Sequence, residues 1–97
     1  MIKKVDLLFT NEVTLEDDRI MKLEYNITEH QNEENEEPYY GLQIKKYLDG
    51  ETEVGEIEGI SFSRDKVEAI ARILFRNTVT PISMAEIVDD LITLETV

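Results

Sequence analysis

The chain has 97 residues, of which 41% are apolar and 33% charged, and a formal net charge of −12, which predicts one soluble globular domain over 1–97 and excludes a disordered composition. It has no cysteine, which excludes disulfides, thiolate catalysis and thiolate-rich zinc or iron–sulfur centres. The negative charge opposes nucleic-acid phosphates and anionic lipid; no apolar run approaches the ~20 residues of a membrane helix, and MIKKVDLLFTNEV does not have the form of a signal peptide, so the cytoplasm is the expected location.

Along the chain, Val5, Leu7, Phe9, Val13 and Leu15 alternate with polar residues. Period two predicts a half-buried strand with those five on one face and a bend near Asn11. Glu16, Asp17 and Asp18 supply a polar hairpin turn, after which Met21, Leu23, Tyr25 and Ile27 restore the alternation in a second, antiparallel strand. Gln31 to Glu37, QNEENEE, has no apolar residue and predicts a solvated loop.

A third strand follows Pro38, with Tyr40, Leu42, Ile44 and Leu48 facing inward and Tyr39, Gln43, Lys45 and Tyr47 facing outward. Asp49-Gly50 is a hairpin signal, because both residues tolerate positive φ. In the fourth strand Val54 and Ile57 differ in parity, which predicts a bulge at Gly55.

The C-terminal third is helical. Val67, Ile70, Ala71 and Leu74 form one face of a helix over about 64–77, with Ser63 as N-cap and Phe62 packing on Val67 as a staple. A second helix, over about 84–95, is predicted from Ser83 and Glu86 as a capping box, Ile82 and Ile87 as a staple, and an apolar stripe of Met84, Ile87, Val88, Leu91, Ile92 and Leu94. Between them, Asn77 is expected to end the first helix in a left-handed conformation, Val79 to plug the gap, and Pro81 to delay the second. The expected architecture is α+β: a four-stranded antiparallel meander with two C-terminal helices on one face, ββββαα.

Two helices and a turn raise the question of DNA reading, and the residues exclude it. The second helix offers Glu86, Asp89, Asp90 and Glu95, and no Lys or Arg follows Arg76; the six-residue connection also exceeds the short turn of that motif. The first helix is the one basic element, with Arg64, Lys66, Arg72 and Arg76 against Asp65 and Glu68. Glu68 is spaced to pair with Arg72, and both Arg72 and Arg76 point to water, where an acidic partner would meet them.

No chemistry is assembled by motif. His30 is the single histidine, so no multi-histidine metal centre is expected, and its place at a strand end predicts exposure to solvent. Asp49 to Glu58 lacks the calcium-loop pattern, and the Glu33–Glu37 cluster would hold calcium only nonspecifically. The four glycines are scattered and form no phosphate loop. No catalytic, cofactor-binding or metal-ligating residue is therefore assigned, and no cofactor is expected. Tyr39 and Tyr47 lie on the outer sheet face, as cross-strand packing or as a surface for a partner or a second copy.

The segment YYGLQIKKY, the DGE turn and IEGISFSRDKVEAIARILFRNTVTPISMAEIVDDLI together resemble a family of small proteins of clostridia-type bacteria, a domain of unknown function. The likeness is strongest from Tyr40 to Ile92, through Tyr40-Gly41, Gly59-Ser61 and Asn77-Ser83. It implies a stand-alone protein and assigns no activity. The expected function is binding or regulation of a protein partner without enzymatic activity, with Tyr39, Tyr47, Arg72 and Arg76 as candidate contacts. Two other readings stand beside it: an acidic nucleic-acid mimic occupying a basic protein groove, and a hydrolase using paired carboxylates.

Overall fold

The computed structural model describes residues 2–31 and 37–95. The Glu33–Glu37 cluster lies largely outside them, as does most of the acidic loop, and the side chain of Leu94 is likewise outside the description. Four strands, β1 (Ile2–Thr14), β2 (Ile20–Gln31), β3 (Tyr39–Leu48) and β4 (Glu51–Ser61), form one antiparallel sheet in the order β1-β2-β3-β4, followed by α1 (Arg64–Arg76) and α2 (Pro81–Glu95). This is the α+β meander with two C-terminal helices that the alternation predicts. No helix among the described residues is long and apolar enough to cross a membrane.

The inner face of the sheet carries the core. Met21, Leu23, Tyr25, Ile27, Leu42 and Ile44 are buried against Val67, Ile70, Ala71 and Leu74 of α1 and Met84 and Val88 of α2. Phe75 stacks on Phe9 at 4.8 Å and meets the edge of Tyr25 at 6.0 Å. Val79 plugs the gap between the helices as expected, and its carbonyl accepts a hydrogen bond of 2.9 Å from the Tyr25 hydroxyl.

Both hairpin turns follow their residues. Asp18 takes φ 68 while Leu15 exchanges hydrogen bonds with Asp18 and Arg19, closing the first turn. Asp49 and Gly50, at φ 54 and 78, form a two-residue turn whose mirror-image geometry suits the strand twist. Arg19 bridges Asp17 and Asp49, tying the two turns together.

The strands depart from simple alternation in two places. Leu8 is an extra residue between the pairs Leu7↔Asn26 and Phe9↔Tyr25. This bulge turns the first half of β1 over, so Val5 and Leu7 lie on the outer face and only the later residues share the expected inner one. Pairing runs on in register through Asn11, whose side-chain amide donates to the Phe75 carbonyl at the end of α1, 2.9 Å away. In β4 the bulge is at Glu58, Gly59 and Ile60, which together face Gly41, and not at Gly55. Gly55 keeps register with Ile44, and an added Cβ there would meet Pro81 at 3.0–3.1 Å, so the missing side chain lets α2 approach the sheet.

Three helix-end expectations also change. Thr78, at φ 51, takes the left-handed position, while Asn77 stays at φ −98 and donates its side-chain amide to Ile73. The second helix begins at Pro81, whose fixed φ and absent N–H suit the first helical position, so Ser83 lies inside the first turn and its N–H bonds to the Thr80 carbonyl. Neither staple forms: Ile82 is 87% exposed, and Phe62 turns its ring toward Tyr39. Ser63 caps α1 as expected, accepting from the Lys66 N–H.

Candidate functional site

Cross-strand partners point to the same side of a sheet, so the register assigns the outer face directly. One row runs Lys3, His30, Tyr39; the next Val5, Thr28, Gly41; the next Leu7, Asn26, Gln43, Glu56; the next Thr10, Glu24, Lys45, Val54; and a further one Glu12, Lys22, Tyr47, Thr52. The helices cover the opposite face, yet His30, Thr28, Asn26 and Gln43 are all buried.

The β4 bulge accounts for the burial of Thr28. A Cβ on Gly41 would stand 2.2 Å from the Ile57 carbonyl oxygen, 2.8 Å from Thr28 Oγ1 and 3.0 Å from Glu58 Cα. The β4 backbone therefore crosses onto the outer face through space that any other residue at 41 would fill. Gly59, at φ 65, permits the turn back.

Beneath and beside this crossing lies a chain of polar contacts. Asn26 donates to Gln43 Oε1 at 2.9 Å, Gln43 donates to Glu56 Oε1 at 2.8 Å, and Lys3 Nζ contacts Glu56 Oε2 at 2.7 Å. Burial pushes the Glu56 carboxyl up, but hydrogen bonds from Lys3 and Gln43 outweigh it and hold the group below its ordinary range. His30 corrects the expected solvent-exposed strand end: it is 1% exposed, stacks on Tyr39 at 5.2 Å, and directs Nε2 toward Glu58 Oε1 at 3.5 Å. Its Nδ1 and the Thr28 hydroxyl are buried without hydrogen-bond partners among the described residues.

The four residues singled out from sequence do not converge. Tyr39 and Tyr47 share the outer face of β3 but stand at its two ends, roughly 27 Å apart at the rise of a strand. Tyr39 is held between His30 and Phe62. The Tyr47 hydroxyl donates to Glu24 Oε1 at 2.8 Å, and that contact raises the tyrosine's pKa. Arg72 and Arg76 belong to the other layer, exposed on α1, with Arg72 6.0 Å from the centre of the Phe9 ring. Glu68 pairs with Arg64, not with Arg72 as the spacing suggested, and Arg64 also reaches Asp6.

Sequence reasoning missed Glu56, Glu58 and the buried side of His30. The E-I-E spacing does put both glutamates on one face of β4. What it does not carry is the crossing of β4 over Gly41, which brings them to a strand two places away. The exposed apolar residues of this face, Val5, Leu7 and Val54, were likewise assigned inward or left unassigned because the Leu8 bulge has no signal of its own.

A family model, DUF6514, described as a family of unknown function, matches residues 4–94. Neither a curated protein nor a solved structure matches the chain.

Proposed function

The chain belongs to this family of unknown function, and from the geometry of the sheet we propose that it is a non-enzymatic protein that binds a protein partner through its outer face. The observation that carries this reading is the exposure of Val5, Leu7 and Val54, at 45%, 57% and 51%, around a buried polar centre. Exposed apolar residues give a partner surface to desolvate, and the fixed polar groups between them orient it. Tyr47 and Lys45 extend the same surface, and Tyr39 backs it by stacking on His30.

The reading takes the protein as cytoplasmic and of clostridia-type bacteria, in keeping with its composition and the resemblance of its motifs. Arg72 and Arg76 on α1 form a second, basic surface, which would favour an acidic partner. The acidic-mimic alternative draws on the net charge of −12 and on exposed Glu86, Asp89 and Asp90 along α2.

Partner capture with the full chain, repeated with Leu7→Glu plus Val54→Lys and with Arg72→Glu plus Arg76→Glu, separates these surfaces. The outer-face pair is expected to abolish capture of a partner that the helix pair retains. A partner lost only on charge reversal in α1 contradicts the outer-face reading. A complex that dissolves steeply with salt and ignores the outer-face pair favours the mimic.

A further inference from the structure

His30 belongs to β2 and Glu56 and Glu58 to β4, with β3 between them, yet each offers a ligand atom and these lie within 4.8 Å of one another. The approach exists because the β4 bulge crosses Gly41 and carries Glu58 over the outer face. His30 is 1% exposed; among the described residues Nδ1 has no hydrogen-bond partner and Nε2 has only the 3.5 Å approach to Glu58. A buried imidazole normally makes hydrogen bonds, so one aimed at a carboxylate from beyond good bonding distance lacks its expected partner. Two carboxylates beside it bring like charge together, offset at Glu56 by Lys3.

We propose that His30, Glu56 and Glu58 bind a divalent cation of the zinc class, through one imidazole nitrogen and two carboxylate oxygens, with water completing the coordination. Zinc accepts this mixed set, whereas calcium and magnesium favour oxygen alone. Bonds of about 2.0–2.1 Å in a tetrahedron place neighbouring ligand atoms about 3.4 Å apart, close to the 3.5 Å between His30 Nε2 and Glu58 Oε1. Glu56 would have to turn to close the remaining distance, drawing an oxygen away from Lys3 or Gln43. Stacking on Tyr39 fixes the imidazole plane, and the hydrogen bond from Gln43 orients Glu56, as outer partners of bound metals do. The ammonium of Lys3 competes with the ion for Glu56. Bound there, the cation ties the β4 bulge to β2 across the intervening strand. This inference stands apart from the protein-binding reading, and neither requires the other.

The test titrates zinc chloride into the full chain against a chromophoric chelator while the imidazole nitrogens are followed by NMR. Because His30 is the only histidine, its signals are unambiguous. The wild type is expected to take up one ion, with His30 resonances moving in step. Glu58→Gln, at an exposed carboxylate, is expected to weaken binding by about tenfold or more while the amide spectrum of the fold is retained. Lys3→Met should tighten it, and Asp89→Asn, on α2, should leave it unchanged. Failure of the wild type to take up zinc, a loss at Asp89→Asn as large as that at Glu58→Gln, or zinc uptake that leaves the His30 resonances still, overturns the site. So does a Glu58→Gln chain that binds as the wild type does, and a Lys3→Met chain that binds no more tightly removes Glu56 from it.

Discussion

At the scale of single residues, Gly41 has the largest consequence. Its missing side chain leaves the space that the Ile57 carbonyl and Glu58 Cα occupy, so the bulge, the burial of Thr28 and the position of Glu58 near His30 all depend on it. Gly41→Ala is expected to destabilise the fold by about 3 kcal/mol or more, because backbone at 2.2 Å cannot yield as a flexible side chain would. Gly50→Ala is the fitting comparison: nothing lies within 4 Å of its added Cβ, and the cost is only that of φ 78, about 1–2 kcal/mol. Urea unfolding of the two variants measures both. His30 makes the complementary point. Its flanking sequence marks it as a strand end beside an acidic loop, and nothing in that sequence says that a strand two places away folds over it.

At the scale of elements, the order and type of all six follow from alternation, turn residues and helical spacing, since period two and period 3.6 are imposed by backbone geometry. The two bulges were illegible or misplaced, because an extra residue in a ladder depends on what the partner strand can accommodate. At Leu8 no glycine marks the irregularity, and at Gly55 a glycine that looked like a bulge serves the approach of Pro81. The helix connection was legible in outline and wrong in detail: Thr78 and not Asn77 turns left-handed, and Pro81 opens α2 where it was expected to hold it back. A non-glycine residue at φ 51 carries strain, so Thr78→Gly is expected to raise stability by about 0.5–1 kcal/mol after the entropic cost of glycine. A rise in the thermal midpoint with unchanged helical signal checks this.

At the scale of the whole molecule, an acidic chain carries its cations in specific places: Lys3 on Glu56, Arg19 between two turns, Arg64 between Asp6 and Glu68. The carboxyl of Glu56 is held below its ordinary value of 4.5, so its contribution to stability is full above that value and is lost as pH falls through the lower, folded one. The stability difference between wild type and Glu56→Gln is therefore expected to shrink as pH falls below the ordinary value of 4.5, and denaturation at stepped pH reads it; a constant difference contradicts the ion pair. The outer face is where the exposed apolar residues, the polar chain and the bulge come together, and the proposed binding of a partner rests on that coincidence. The most direct measurement is methyl NMR of the full chain with a soluble paramagnetic probe, before and after a captured partner is added. Val5, Leu7 and Val54 are expected to lose their exposure to the probe, while Ile73 on α1 and Ile82 on α2, exposed at 39% and 87%, retain theirs. Protection of Ile73 or Ile82 with the three outer-face methyls still exposed would contradict it.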